Sequence, residues 1–194
     1  MARDDGIRTR REDLFAAAAE IFWEKGYHAT SMGDLAAAMQ MGQSSLYHHI
    51  DSKETLLYEM SESSMRNITE AAVSATSADP EDRLREIIAL HVGSLLQDRS
   101  RHATALIELR SLQAGQRESI VELRSRYDQL IDAAVSDVQK ATGRWAGVPT
   151  RLVRFALLGM LNWTVFWYAS DGPESPESIA KAFSSILLPP LPDA

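Results

Sequence analysis

The 194-residue chain contains no cysteine. That absence removes disulfide frameworks, thiolate zinc sites, iron–sulfur clusters and a cysteine nucleophile together, and a reducing cytoplasm is the simplest home for such a protein. Long hydrophobic runs are missing too. The most apolar stretch, 155–169, carries Asn162 and Thr164 and falls short of the ~20 residues a spanning helix needs, so no membrane association is expected. The start, MARDDGIRTRR, has acidic residues near Met1 and no apolar run behind its arginines, unlike a signal peptide. Positive charge is also scarce. Lys and Arg number 20 against 27 Asp and Glu, a net charge of −7, which argues against a protein wrapped in nucleic acid. No GxSxG, glycine-rich phosphate loop, HExxH or supported carboxylate pair occurs, so no catalytic residue is assigned and no enzyme is expected. His48 and His49 are neighbours that a helix would aim about 100° apart, and His91 and His102 stand on or near different helices. Neither a metal nor a bound cofactor is expected.

What the chain does have is helical periodicity, and strand-like alternation never persists, so the predicted fold is all-α with about nine helices. With 45% hydrophobic and 24% charged residues the composition is that of an ordinary globular protein. A first helix is expected over 10–25, with Leu14, Ala18, Ile21 and Phe22 on one stripe and Gly26 as its stop. Ser31 with Asp34 reads as a capping box for a short second helix that buries Leu35, Ala36 and Met39. A third spans 43–50, and Asp51 with Glu54 reads as a box for a long fourth over 52–76. TSADP, 76–80, is the clearest breaker. Beyond it, helices are expected at 81–98, 103–112, 116–141, 149–169 and 176–188.

Two short helices joined by a three-residue turn, preceded by a longer amphipathic helix, form the arrangement a helix-turn-helix reader of DNA requires. At helical steps Leu46 and Ile50 share the inward side of the third helix, leaving Ser44, Ser45 and His48 outward. Gln43 stands at its N-terminal tip, where an amide can pair with adenine in the major groove. Tyr47 lies at the flank, and with His49 and Lys53 it is placed to hold phosphates; Ser31 and the amides that open the second helix are placed for another. Arg8, Arg10 and Arg11 form a basic arm before the first helix. Residues 1–60 nevertheless hold six Lys or Arg against ten Asp or Glu, so tight binding to duplex DNA would need dimerisation.

The run HATSMGDLAAAMQMGQSSLYHHIDSKETLL, residues 28–57, resembles the DNA-binding segment of TetR-family transcriptional repressors in its Thr-Ser pair, Leu-Ala step, Leu-Tyr-His-His run and Ser-Lys-Glu. The resemblance implies a helix-turn-helix head, residues 1–52, and a helical ligand-binding and dimerisation domain, residues 53–194. It also implies a homodimer that releases its operator when a small molecule binds. On the matching positions, Gln43, Ser44, Ser45 and His48 would meet bases, and Tyr47, His49 and Lys53 phosphates. Three positions depart from the family pattern: Gln40 stands where a turn glycine is usual, Gly42 where a capping serine is, and Ile50 replaces a common phenylalanine. A left-handed Gln40 would carry strain of ~1 kcal/mol.

In the body, RESIVELRSRYDQLI and GMLNWTVFWYASDGPESPESIA resemble helices of the TetR-type regulators that sense acyl-CoA thioesters, which implies an acyl-CoA effector. By residue chemistry alone, Ile120, Tyr127, Ile131, Ala134 and Val138 make one apolar stripe with Arg124 inside it. That guanidinium needs a partner, either a ligand's phosphate or carboxylate or an acidic side chain such as Glu108. Arg110 and Arg124 are candidate effector contacts, or side chains that snorkel. Ala156, Gly159, Trp163 and Trp167 share one side of a helix that is apolar all round. The two indoles are candidates for an effector pocket beside Tyr127, though helical tryptophans more often pack in a core. The resemblance assigns the last two helices to a four-helix dimer interface. A helical protein-interaction module without DNA is the alternative, and it leaves the outward Ser44, Ser45 and His48 unexplained.

Overall fold

A computed structural model describes the backbone of residues 2–190 and the side chains of residues 11–190. Among these residues there are nine α-helices and one 3-10 turn, with no strand: α1 Ala2–Lys25, α2 Met32–Ala38, α3 Gln43–Tyr47, α4 Lys53–Val73, α5 Pro80–Gln97, α6 Arg99–Ile107, the 3-10 turn Glu108–Ser111, α7 Ala114–Thr142, α8 Thr150–Trp167 and α9 Pro176–Leu187. Contacts divide the chain into two compact units, residues 1–65 with 98–121, and residues 66–97 with 122–194. No helix among the described residues is long and apolar enough to cross a membrane.

In the first unit α1 packs against α2 and α6, and α2 against α3. The apolar stripe of α1 is buried at Leu14, Phe15, Ala18, Ala19 and Phe22. The helix stops at Gly26, whose φ of 90° only glycine adopts cheaply and whose amide still bonds the Phe22 carbonyl. Because α1 begins at Ala2 instead of residue 10, the expected basic arm belongs to the helix. The side chains of Arg8 and Arg10 lie outside the described residues. The capping box forms as expected: Ser31 accepts from the Asp34 amide, and the Asp34 carboxylate accepts from the Ser31 amide at 2.7 Å. Lys25 and Ser31 together hold the Asp34 carboxyl well below the usual carboxylate range.

Three expectations are corrected here. The cap of α4 is Ser52, whose hydroxyl takes the Thr55 amide at 3.0 Å, and not Asp51 with Glu54. The third helix ends at Tyr47, so His48 to Ile50 form a tightening turn in which the Ile50 amide still bonds the Leu46 carbonyl. The sixth helix opens at Arg99, four residues before the expected start at Ala103, and it buries Ser100, Arg101 and His102. Those polar side chains are tolerated because each is partnered: Ser100 donates to Glu20, His102 bonds Ser64, and Arg101 pairs with Asp98 and Glu12.

Gln40 takes φ 54° in the α2–α3 turn, the strained conformation its place in the pattern implied. Gln40→Gly is expected to raise stability by up to about 0.5 kcal/mol, the ~1 kcal/mol of relieved strain less the glycine's greater unfolded-state entropy. Urea unfolding checks this: the midpoint should rise with an unchanged slope.

The second unit is built on contacts of α5 with α8 and α9. Buried Leu84, Ile87, Ile88, Val92 and Leu95 from α5 share its core with Ile131, Val135 and Val138 from α7 and Leu157, Leu161 and Val165 from α8. Pro80 opens α5 and Pro176 opens α9, positions where the missing amide would be unbonded in any case.

Candidate functional site: a nucleic-acid interface and a buried polar core

The third helix is pinned by one residue and closed by another: Leu46 is fully buried and Ile50 is 3% exposed. Everything between and around them faces out. Gln43, Ser44, Ser45, Tyr47, His48 and His49 are all exposed, with Tyr47 half-exposed at 50%. Gly42 caps the helix through backbone alone, with no side-chain hydrogen bond, and Gln43 beside it is exposed. The arrangement offers amide, hydroxyl and imidazole groups on the open side of a short helix whose other side is fixed in the core. That is the chemistry a base edge demands.

Ser31, Tyr47 and Lys53 line one open depression of about 330 Å³, together with Thr30, Met32, Asp51, Ser52 and Glu54. The structure thus brings three of the residues assigned to phosphates to one place. Lys53, however, spends its ammonium on the protein itself, donating at 2.8 Å to each of the Tyr27 and Thr30 carbonyls. Arg11, expected in the basic arm, instead pairs with Glu59 and donates to the His49 carbonyl, which ties α1 to the end of the recognition segment.

The candidate effector residues separate. Tyr127 is buried in the stripe with Ile120, Ile131, Ala134 and Val138 as expected, and its hydroxyl lies 2.6 Å from His91 Nδ1. The other ring nitrogen of His91 meets Asn162 Oδ1 at 3.2 Å. A neutral imidazole protonated on Nε2 satisfies both bonds, accepting from tyrosine and donating to asparagine. Burial, reinforced by the nearby Asp128, pushes the Tyr127 phenol up, so it stays a donor. Sequence reasoning missed His91 and Asn162. The signal was present, since His91 falls on the α5 stripe of Leu84, Ile87, Ile88 and Leu95, where a polar ring must find partners.

Arg124 sits one turn before Tyr127, and burial lowers its guanidinium's affinity for the proton while Asp128 opposes the shift. The Glu108 carboxylate accepts from Ser111. Arg110 is exposed, in the 3-10 turn. Trp163 and Trp167 are neither core nor part of the buried cluster: they are 62% and 46% exposed, with ring contacts to Phe166 and Phe183 respectively. With Leu152, Phe155, Ala156, Gly159 and Phe166 they form one open apolar face on α8, and Ile186 on α9 is equally bare. The buried side of the same helix carries Arg154, which pairs with Asp128 and Asp132 from α7. Among the described residues no group of three or more His, Cys, Asp or Glu is arranged to hold a metal ion.

Known proteins share this architecture. Residues 14–60 match the family model described as bacterial regulatory proteins, tetR family, and residues 77–191 match the tetracyclin repressor-like C-terminal domain. The HTH-type transcriptional repressor KstR2 of Rhodococcus jostii (strain RHA1) is 28% identical, over 94% of this chain and 91% of its own length. The crystal structure of PfmR, a TetR-family transcriptional regulator from Thermus thermophilus, superposes with a TM-score of 0.84 at 34% identity, covering 90% of this chain and 96% of that one. AibR, solved in complex with isovaleryl coenzyme A and operator DNA, gives a TM-score of 0.80 at 29% identity, over 94% of this chain and all of its own. Helix-turn-helix geometry, an all-helical body and matches that together span 14–60 and 77–191 lead to one conclusion: the chain belongs to the TetR family of bacterial transcriptional regulators.

Proposed function

We propose that this protein is a homodimeric, cytoplasmic repressor that binds operator DNA through the open face of α3 and lets go when an acyl-CoA thioester occupies its body. The observation that carries the reading is the bare polar side of a helix whose Leu46 is locked in the core. Gln43, Ser44, Ser45 and His48 read base edges, and Ser31, Tyr47 and His49 hold phosphates. Residues 1–52 carry the DNA contacts, and residues 53–194 carry the effector and the partner subunit. No catalytic step is assigned to it.

The acyl-CoA class is supported by the relative solved with isovaleryl coenzyme A and by Arg124, a half-buried guanidinium one turn from the buried Tyr127. On this reading Arg124 meets the ligand's anionic end and Tyr127 its polar group. Trp163 and Trp167, open in the isolated chain, pack on the partner subunit instead. Bound effector favours a spacing of the two heads that no longer matches half-sites one turn apart, ~34 Å, and effector and operator then oppose each other reciprocally.

Selecting bound duplexes from a random pool, with and without free CoA, free acids and acyl-CoA thioesters, tests both halves. A palindromic sequence lost on adding thioester supports the proposal. Equal indifference to every metabolite removes the effector assignment, and binding that does not weaken as salt rises removes the DNA assignment. Within the head, Gln43→Ala is expected to relax base preference at one position per half-site by about 1–3 kcal/mol. An unchanged selected sequence would overturn the groove assignment.

A further inference from the structure

The depression that gathers Ser31, Tyr47 and Lys53 is also lined by the acidic residues Asp51 and Glu54. A phosphate entering there would face two anions for one cation, and that cation is already engaged. Lys53 Nζ donates at 2.8 Å to the Tyr27 carbonyl, 26 residues upstream, and at 2.8 Å to the Thr30 carbonyl, 23 residues upstream. It also stands 4.4 Å from the centre of the Tyr27 ring, and that ring is buried at 2% exposure with its edge on Phe22. The two carbonyls bracket a closed turn: the Thr30 amide bonds the Tyr27 carbonyl at 3.2 Å and the Thr30 hydroxyl donates to the Gly26 carbonyl at 2.8 Å. The turn follows the C-terminal end of α1, the negative end of the helix dipole, where a lysine's charge is favourable.

We infer that Lys53 is a positioning residue, a clamp from the first residue of α4 onto the α1–α2 turn, and not a phosphate contact. The inference rests on the DNA-binding reading above for its consequence, but not for its geometry. Holding Thr30 holds Ser31, the cap that sets where α2 begins, and α2 carries α3. The ammonium thus fixes the angle at which the recognition helix is presented. It also makes any movement of α4 a movement of that turn.

Two measurements on the full-length protein separate the roles. Without DNA, Lys53→Met is expected to speed amide hydrogen exchange at 30–35 by roughly ten- to a hundredfold, the worth of hydrogen bonds from a charged donor, while α5 amides keep their protection. Lys53→Gln retains a neutral donor and should restore part of that protection. With a duplex selected by the wild-type protein, both variants should bind at least about tenfold more weakly, and the slope of affinity against salt should stay unchanged. A lost phosphate contact would instead lower that slope by about 0.9 per head for Met and Gln alike, and this result overturns the inference. Unchanged exchange in Lys53→Met overturns it as well. If the wild type selects no duplex, the DNA reading falls and the exchange result alone decides the clamp.

Discussion

Trp163→Asp is expected to split the dimer and silence the operator. Trp163 stands 62% exposed in the middle of a face that also bares Leu152, Phe155, Phe166 and Trp167 on α8, and Ile186 on α9. Ala156 and Gly159 lie on the same side, and a Cβ added at Gly159 meets nothing within 4 Å, so a partner helix can approach closely there. A monomer gains nothing by showing water so many large apolar groups in one patch. In a two-fold interface each change is made twice. Losing an indole that contributes about 1.5–3 kcal/mol, and burying a carboxylate in its place, should weaken self-association by more than about a thousandfold. A single head is then left with the loose sequence-independent affinity of about 10⁻⁴–10⁻⁶ M. Sedimentation velocity across concentrations reads the first effect and duplex titration the second. A variant that still sediments as the wild type does would remove α8 from the interface.

Arg101→Ala should cost roughly 3 kcal/mol, or about 6–12 °C in melting temperature for a chain of this size. Its side chain is 4% exposed and lies between Asp98 at 2.7 Å and Glu12 at 2.9 Å, with Ser63 at 3.3 Å and the Phe15 ring beneath it. Without the guanidinium the Asp98 carboxylate loses the charge that opposes its burial, and burial already raises its affinity for a proton. Both carboxylates keep some access to water, which holds the loss at the lower end for a broken buried pair. Differential scanning calorimetry checks the value. A shift below about 2 °C would show the pairing to be no stronger than a surface contact.

The recognition segment was legible because its code is local. Leu46 and Ile50 lie four apart and must fall on one side of a helix, Ser31 and Asp34 have capping-box spacing, and Gln40 in a glycine's place forces a left-handed residue. Each of these needs a window of only a few residues. Where two local codes compete, pattern cannot choose: Asp51 with Glu54 and Ser52 with Thr55 both have cap spacing, and only the path of the chain selected Ser52. The start of α6 was missed for the opposite reason. Arg101 and His102 look like turn residues until Glu12, 89 residues away, and Ser64, 38 away, arrive to partner them. Periodicity likewise placed Trp163 and Trp167 on one side of α8, but a stripe does not say whether its own chain or another covers it. Asp128 and Asp132 had no reading in the sequence, because the cation they meet, Arg154 on α8, arrives only through packing.

The head-containing unit is discontinuous: residues 98–121 complete what residues 1–65 begin. During synthesis the recognition helix therefore leaves the ribosome well before α6, the helix that braces α1. Translation of the intervening 66–97 takes roughly 2–6 s at about 5–20 residues per second, far longer than a helix needs to form. Throughout that interval Glu12 and Glu20 have no Arg101 or Ser100 to meet. A nascent chain can thus display an α3 sequence without a finished scaffold behind it, and competence to engage a promoter is deferred until the middle of the polypeptide has been made.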